Sequence, residues 1–565
     1  MMKRILHTIL ILIFFCTQVR AQIPTLTWAK NIGSVGSDWS QSLTLDVSGN
    51  ICSTGIFQGN VDFDPGPGTY TLGSLGSYDT YISKLDANGN FIWARSVGGN
   101  SGTIYGLSID TDVLGNIYLS GGFTGTVDLD PGPASFTAAS LGLYDIFILK
   151  LDVNGNFLWA KQIGSSNQDM GLSIAIDGAG NVCVSGYYYG LADFDPGAAT
   201  YNLPCTGAQD LYILKLDTGG NFMWVATMGG TGSDVNDAHA LTIDGKDNIY
   251  ATGYFVGTID FDPGPGTYTL SSTSKQLYVL RLGPSGNFKW VKAASTPTTS
   301  GASNMGLAIN VDVSGNVLTT GLFGPGVDFD PGPGVNSLGT GGMFVWKLDS
   351  LGNFAWAKEF TGTLSHEPYS ITTDVTGNVY FSGYFTGTND FDPGPGTYSY
   401  TSSGNKDMFI VKLDVLGNLT WALPFGASSF DAAYDVVTDV SNNLYVTGYF
   451  SSVVDFDPGP GTFTMTAGSS NIFVMKLAQS PLMINEITDQ GLISIYPNPA
   501  AETINICSRS KINSVKVFSV DGKVVLEKVV KDVSAVINIS ELKAGIYFVE
   551  VNAQGESHRT KVVKE

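Results

Sequence analysis

Between residues 26 and 477 the apolar residues fall in short runs, many alternating with polar ones, as in Ile117-Tyr118-Leu119-Ser120-Gly121-Gly122-Phe123 and Ile146-Phe147-Ile148-Leu149-Lys150-Leu151. Runs of this length with a period of two predict β-strands, and no long stretch repeats at the helical spacing of 3.6. The breaks between runs are regular. Many read D-x-x-G-N, as in Asp112-Val113-Leu114-Gly115-Asn116 and Asp152-Val153-Asn154-Gly155-Asn156. In such a break Asp hydrogen-bonds the turn backbone and Gly takes the positive φ of a tight hairpin.

The pattern repeats. Trp28, Trp93, Trp159, Trp224, Trp290, Trp356 and Trp421 recur every 65 or 66 residues. Each unit runs through a Trp strand, a variable Gly-rich connector, a strand ending in Asp, a D-x-x-G-N turn, a strand like IYLSGGF, a DFDPG segment and a strand like FILKLD. Four antiparallel strands per repeat predict an all-β, seven-bladed β-propeller. The first copy begins with a Trp strand, Leu26 to Lys30, and the last ends with Phe473 to Leu477, so each end is half a hairpin. Pairing the two would close the ring through its N-terminal strand and remove both free edges. One aromatic per copy at a fixed strand position is read as packing between neighbouring sheets.

Composition agrees with this fold class: 70 Gly, 31 Phe, 25 Tyr and only 14% charged residues. The net charge of −21 lies in the repeats, because the first 21 residues are basic and residues 492–565 nearly balanced. Such a body repels phosphate backbones, which argues against nucleic acid as a partner. Lys3 and Arg4 precede an apolar run from Ile5 to Cys16, and Val19 and Ala21 stand at the −3 and −1 positions of a cleavage site. Residues 1–21 therefore read as a signal peptide, and no later run is long enough for a membrane span. Cys52 and Cys183 occupy positions held elsewhere by Tyr118, Tyr250, Tyr380 and Tyr445, so they read as packing residues, and with Cys205 and Cys507 they form no evident disulfide framework.

The G-N-x-Y-x-x-G-x-F and D-x-F-I-x-K-L-D-x-x-G-N-x-x-W-A stretches resemble the SBBP-type β-propeller repeats of secreted bacterial proteins, a resemblance that speaks to fold and says little about ligand. Residues 22–479 are read as the propeller and 480–491 as a linker. Four alternating runs follow, Ile493 to Ile506, Val515 to Glu527, Ile537 to Val551 and Arg559 to Val563, and predict a small Ig-like β-sandwich over 492–565. Tyr496-Pro497-Asn498-Pro499, the Asp521 to Val525 turn, Leu542 to Val549 and the closing Lys561-Val562-Val563-Lys564 resemble the type A C-terminal sorting domain of the type IX secretion system. That resemblance implies the secretion translocon as a partner, a secreted or outer-surface location, and cleavage between Ser480 and Gly491.

Two sets of residues carry candidate chemistry. The DFDPG segments align pairs of carboxylates: Asp62 and Asp64, Asp128 and Asp130, Asp193 and Asp195, Asp260 and Asp262, Asp328 and Asp330, Asp390 and Asp392, and Asp455 and Asp457. Paired oxygens before a Gly turn suit Ca²⁺, although such an ion takes about six to eight ligands, and Asp-Pro-Gly is a turn former in its own right. Both readings stand at this level. In an up-and-down sheet the two D-x-x-G-N hairpins share one face, and the DFDPG loops and connectors share the other. The connector face varies between copies, with Trp39, Tyr105, Asp169, Asp237, His239, His366, Glu367 and Asp431 among its residues, and it is the candidate ligand face.

The repeats contain no H-E-x-x-H, G-x-S-x-G, P-loop or C-x-x-C motif. Asp237 with His239, and His366 with Glu367, are the possible acid/base pairs, each equally readable as loop polar residues. The expectation is an exported binding or adhesion propeller for glycan or protein. The alternatives are a polysaccharide-active enzyme, whose paired carboxylates no motif search would reveal, and a purely structural surface component.

Overall fold

A computed structural model describes residues 23–230, 235–295, 304–479, 493–496, 500–508, 510–519, 522–553 and 556–564. The predicted signal peptide, the linker and residues 497–499 lie outside them. The chain divides into two compact units, Met1–Gln479 and Ser480–Glu565, and among the described residues neither contains a helix.

The first unit is all-β and β-propeller-like. Its larger sheets are antiparallel, six of four strands and one of six. One sheet runs Trp39–Leu45, Ile51–Phe57, Asp79–Leu85, Phe91–Val97, and the others repeat this order of leading, second, third and trailing strand. The leading strands are Trp39–Leu45, Thr103–Thr111, Met170–Ile176, Asp237–Ile243, Met305–Val311, His366–Thr373 and Ala432–Thr438, and the sheets are numbered first to seventh in this order. Each leading strand contacts the next, and the seventh contacts the first. The seventh sheet takes its trailing strand from the start of the chain: Thr25–Ile32 pairs antiparallel with Thr464–Ala478, Ala29 opposite Met475 and Ile32 opposite Ile472. Ile32, Leu43 and Phe63 share one core cluster with Tyr445, Ile472 and Val474, so the two ends of the repeat array are packed together as well as hydrogen-bonded.

The repeated residues account for the junctions between sheets. Trp93 donates its indole N–H to the Val153 carbonyl in the next sheet's turn at 3.2 Å, and Trp159 and Trp356 do the same with Thr218 at 3.1 Å and Val415 at 3.2 Å. The ring lies over the turn glycine. At Gly155, with φ of 78°, an added Cβ would sit 3.1 Å from the Trp93 ring, so this glycine serves both the left-handed backbone and the approach of the indole. In the hairpin after the leading strand no Trp intervenes, and there Asp247 and Asn442 replace Gly at φ of 60° and 64°. In both kinds of hairpin the Asp carboxylate caps the turn, as Asp46 does by accepting from the Ser48 and Asn50 N–H groups, each at 2.9 Å.

The Cys/Tyr exchange noted in the sequence has a physical basis. Where Cys52 or Cys183 leaves room, the buried Lys84 and Lys215 ammonium groups reach Asp46 and Asp177 at 2.8 Å. Where tyrosine stands, its hydroxyl takes the carboxylate, as Tyr118 does with Asp112 at 3.0 Å, and the Lys150 ammonium lies 4.7 Å from the ring centre. Cys52, Cys183, Cys205 and Cys507 are free thiols, and burial raises Cys52 and Cys183 to about 12.

One element differs from the expected turn. The DFDPG segment caps a two-stranded ribbon, such as Asn60–Asp62 with Thr71–Gly73, or a continuation of two main strands, as in Ile249–Asp260 with Thr269–Leu282. Its central Phe or Leu is fully buried in every copy, from Phe63 to Phe456. That buried side chain pins the ribbon to the sheet, which is why a turn-like sequence carries extra strand pairing.

In the second unit, the strands Ile493–Tyr496, Thr503–Ser508 and Ser534–Asn538 form one sheet. Val524–Val529, Ile512–Ser519, Gly545–Ala553 and Glu556–Lys564 form another. Ile504, Ile506 and Ile537 from one sheet share a core with Val515, Val517, Val549 and Val551 from the other. Each of the first three predicted runs thus takes in parts of two strands, which an alternation pattern alone does not separate.

Candidate functional site

Every leading strand carries a register shift centred on a residue between its third and fifth positions, from Ser40/Ser42 in the first sheet to Ala433/Asp435 in the seventh. A bulge of this kind re-aims one side chain. The residues concerned are Gln41, Leu107, Leu172, His239, Leu307, Tyr369 and Tyr434. The scaffold is therefore uniform at this level, and its side chains differ from sheet to sheet.

Around these bulges the structure assembles an aromatic series across the sixth, seventh and first sheets. Tyr384 lies 5.7 Å from Tyr369, and Tyr369 stacks on Tyr434 at 4.4 Å with an interplanar angle of 5°. Tyr434 is 5.9 Å from Tyr449, Tyr449 is 5.6 Å from Trp39, and Trp39 is 6.5 Å from Tyr78, all centroid to centroid. The Trp39 indole donates to the Ser470 hydroxyl at 3.0 Å. Most of these rings are only half-buried. Beside Trp39 and Tyr449 opens a cleft of about 800 Å³, lined also by Phe430, Ser428, Ser429, Ser451, Ser452, Ser469 and Ser470. Phe430 is 45% exposed there, an apolar ring offered to solvent among hydroxyls. Tyr105 belongs to a separate pair in the second sheet, 6.1 Å from Tyr144.

Charged groups gather in the fourth and sixth sheets. The His239 imidazole is 3.7 Å from the Asp237 carboxylate, and its side chain is 42% exposed. Burial opposes its charged form, but the Asp237 carboxylate and the charge of Glu367 outweigh that effect, and its pKa is raised. Glu367 accepts from the Tyr384 hydroxyl at 3.3 Å and the Tyr369 hydroxyl at 3.4 Å. His366 is not brought to Glu367: adjacent strand residues point to opposite faces, and His366 packs toward Gly362 and Asn389. Burial, partly offset by Asn389, lowers its pKa. The acid/base pairing of His366 with Glu367 is thereby replaced by a hydroxyl-bound Glu367.

Asp169 and Asp431 also have internal employment. Asp169 is fully buried and accepts the Ser165 and Tyr189 N–H groups. Asp431, equally buried, accepts those of Ala427 at 2.9 Å and Ser451 at 2.8 Å. Burial lifts both to about 6. They brace the connectors that carry the exposed residues.

The DFDPG carboxylates are turn caps by geometry. Asp62 accepts from the Asp64 N–H at 3.1 Å and the Tyr70 N–H at 2.8 Å, and Asp64 accepts from Gly66 at 2.8 Å. The same three bonds recur at Asp128 and Asp130, Asp193 and Asp195, Asp260 and Asp262, Asp328 and Asp330, Asp390 and Asp392, and Asp455 and Asp457. Among the described residues no three His, Cys, Asp or Glu side chains converge on a metal-sized point. The ribbons lean on trailing strands, as Tyr70 does on Phe91 at 5.1 Å, so the carboxylate loops and the aromatic series are separate places.

Of these groups the sequence pointed to Trp39, Asp237, His239 and Glu367, and missed Tyr369, Tyr384, Tyr434 and Tyr449. Aligning the copies by strand position would have found them. The sixth position of the second strand reads Ile56, Gly122, Tyr187, Tyr254, Leu322, Tyr384, Tyr449.

The fold and this arrangement define an all-β, propeller-like protein with a separate C-terminal unit, and comparison with known proteins identifies that unit. Residues 494–565 match the family described as the secretion system C-terminal sorting domain. The protein is thus handled by the type IX secretion system and exported to the cell surface or released. Among the described residues no helix is long and apolar enough to cross a membrane.

The chain is similar to an uncharacterized WD repeat-containing protein, L264, of Acanthamoeba polyphaga mimivirus, 23% identical over 75% of this chain and 36% of that protein. It is also similar to the regulatory protein FlaEY of Caulobacter vibrioides, 24% identical over 36% of this chain and 22% of that one. It spans well under half the length of either relative. Among solved structures, PorZ of Porphyromonas gingivalis, a surface component of its type IX secretion system, aligns over 95% of this chain and all of its own at 11% identity and a TM-score of 0.18. The extracellular domain of BT4673 from B. thetaiotaomicron aligns over 93% of this chain and 86% of its own at 10% identity and the same TM-score. Superpositions this loose carry no argument, and the architecture rests on the strand pairing described above.

Proposed function

We propose that the seven sheets are the blades of one propeller, latched by Thr25–Ile32, and that residues 22–479 form a non-enzymatic glycan-binding module delivered to the surface by the sorting domain. In this reading residues 1–21 are a removed signal peptide and 480–491 a linker. The series of leading-strand contacts that returns to its start supports the ring.

The observation that carries the binding reading is the run of half-exposed rings Tyr369, Tyr434, Tyr449 and Trp39, backed by the buried Tyr384 and ending in a cleft of about 800 Å³ lined by serines. Flat aromatic faces cover the apolar faces of sugar rings, and hydroxyls meet their hydroxyls. Few convergent polar groups on an apolar floor is the general make-up of a small-ligand site. A second reading, a polysaccharide-active enzyme, draws on Asp237, His239 and Glu367, whose charges interact across two sheets.

Titrating the mature protein with a panel of neutral and acidic polysaccharides, in buffer with and without EDTA, tests the proposal. Binding is expected without product release and independent of the chelator. Trp39→Ala and Tyr434→Ala should each weaken it about tenfold, ~1.4 kcal/mol. Absence of binding across the panel, or undiminished binding by both variants, would refute the site. Release of shortened sugars would transfer the case to the enzyme reading.

A further inference from the structure

The fourth and sixth sheets repeat one constellation that the other sheets lack. In each, an acid at the start of the leading strand faces a tyrosine of the second strand: Asp237 opposite Tyr254, and Glu367 opposite Tyr384. In each, a lysine just before the third strand's equivalent segment lays its ammonium on that tyrosine. Lys275 Nζ is 3.9 Å from the Tyr254 ring centre and Lys406 Nζ 3.7 Å from that of Tyr384. The fifth sheet, between them, has Met305 and Leu322 at the corresponding positions. Two like cation-on-tyrosine groups thus flank a sheet with apolar residues at these positions, and the Tyr384 ring of one of them belongs to the aromatic series.

The two signs of charge are not equally provided for. Asp237 has His239 at 3.7 Å, and Glu367 has two phenol hydroxyls. The ammonium groups, each with three donors and no acceptor, have less. The acceptor contact of Lys275 is the weak Met305 sulfur at 3.6 Å, and among the described residues neither lysine is in an ion pair. The nearby Asp237 and Glu367 carboxylates form no ion pair with either ammonium among the described residues, so the lysines' charge-assisted hydrogen bonds are left for another acceptor. Cation–π contact holds a lysine in place without using its charge-assisted hydrogen bonds.

We infer that the site selects anionic sugars, with Lys275 and Lys406 receiving the carboxylate or sulfate oxygens of a chain lying on the aromatic series. This rests on the glycan-binding reading above. The net charge of −21 opposes such a ligand at long range. That repulsion is screened beyond about 8 Å at physiological ionic strength, whereas the two ammonium groups act at contact distance and keep most of their strength. Local attraction therefore prevails once the chain is seated.

Calorimetric titration of the mature protein with three polymers, neutral galactan, polygalacturonate and a sulfated galactan, tests the inference and distinguishes carboxylate from sulfate. At least one anionic polymer is expected to bind about tenfold or more tighter than the neutral one. The double variant Lys275→Met/Lys406→Met should lose that preference while keeping its affinity for the neutral chain and its melting temperature. Lys275→Arg/Lys406→Arg should retain the preference, which guards against a lysine acting only in packing. Equal affinity for all three polymers, or a preference that survives the methionine variant, overturns this inference and leaves the glycan-binding reading standing. No binding to any polymer overturns both.

Discussion

Glycine at the two D-x-x-G-N hairpins is one residue with two different duties. After the leading strand it supplies only the left-handed backbone, and Gly49 at φ of 75° has open space around its missing side chain. After the third strand it also lies under an indole, as Gly155 does under Trp93. Asparagine tolerates the left-handed region, so Gly49→Asn should change stability by no more than about 0.5 kcal/mol. Gly155→Asn, which adds atoms beneath a packed ring, should cost about 1–3 kcal/mol. Urea melts of the two variants check this, and equal losses would mean that the indole does not constrain the turn. The same contrast explains why Asp247 and Asn442 occur only at the first kind of hairpin, a difference present in the sequence but without meaning until the Trp was seen overhead.

Among the elements, the strand Thr25–Ile32 joins the two ends of the repeats. It covers the edge of Thr464–Ala478 and contributes Ile32 to a core shared by the first and seventh sheets. Asp435 reinforces the same seam, accepting from the Leu43 N–H at 2.9 Å, the Ser42 hydroxyl at 3.0 Å and the Ser370 hydroxyl at 2.7 Å, so one carboxylate joins three sheets. Removing residues 23–32 exposes an unpaired edge and its apolar face, the condition under which strands recruit other chains. The truncated protein should melt lower and self-associate, as read by calorimetry and light scattering. A monomer with an unchanged melting temperature would remove the latch from the account. The half-hairpin at each end of the repeats made this pairing legible in advance. The ribbons around DFDPG were not legible, because their pairing depends on a buried Phe whose burial no local pattern reveals.

For the whole molecule, the sorting domain that directs export lies in the second unit and the repeats in the first. The second unit has its own core of Ile504, Val515, Val549 and neighbours, so it folds around residues that the first unit does not supply. Truncation after Gln479 should leave the repeat unit folded and retained in the periplasm, measured by fractionation and circular dichroism. Normal appearance at the surface or in the medium would mean that the sorting signal lies elsewhere.

The sequence by itself determined the strand composition, the repeat length, the hairpin chemistry and the sorting module, since each depends on residues close together in the chain or recurring at a fixed interval. Tertiary structure decided the use of the variable residues. Asp169 and Asp431 were indistinguishable from ligand contacts until their carboxylates were found buried against backbone N–H groups. Tyr369, Tyr434, Tyr449 and Trp39 are ordinary strand residues up to hundreds of positions apart, and only the return of the seventh sheet to the first makes them one surface. Periodicity records what every repeat needs in order to fold, whereas a binding site is built from the differences between repeats, which become neighbours only when the sheets are assembled.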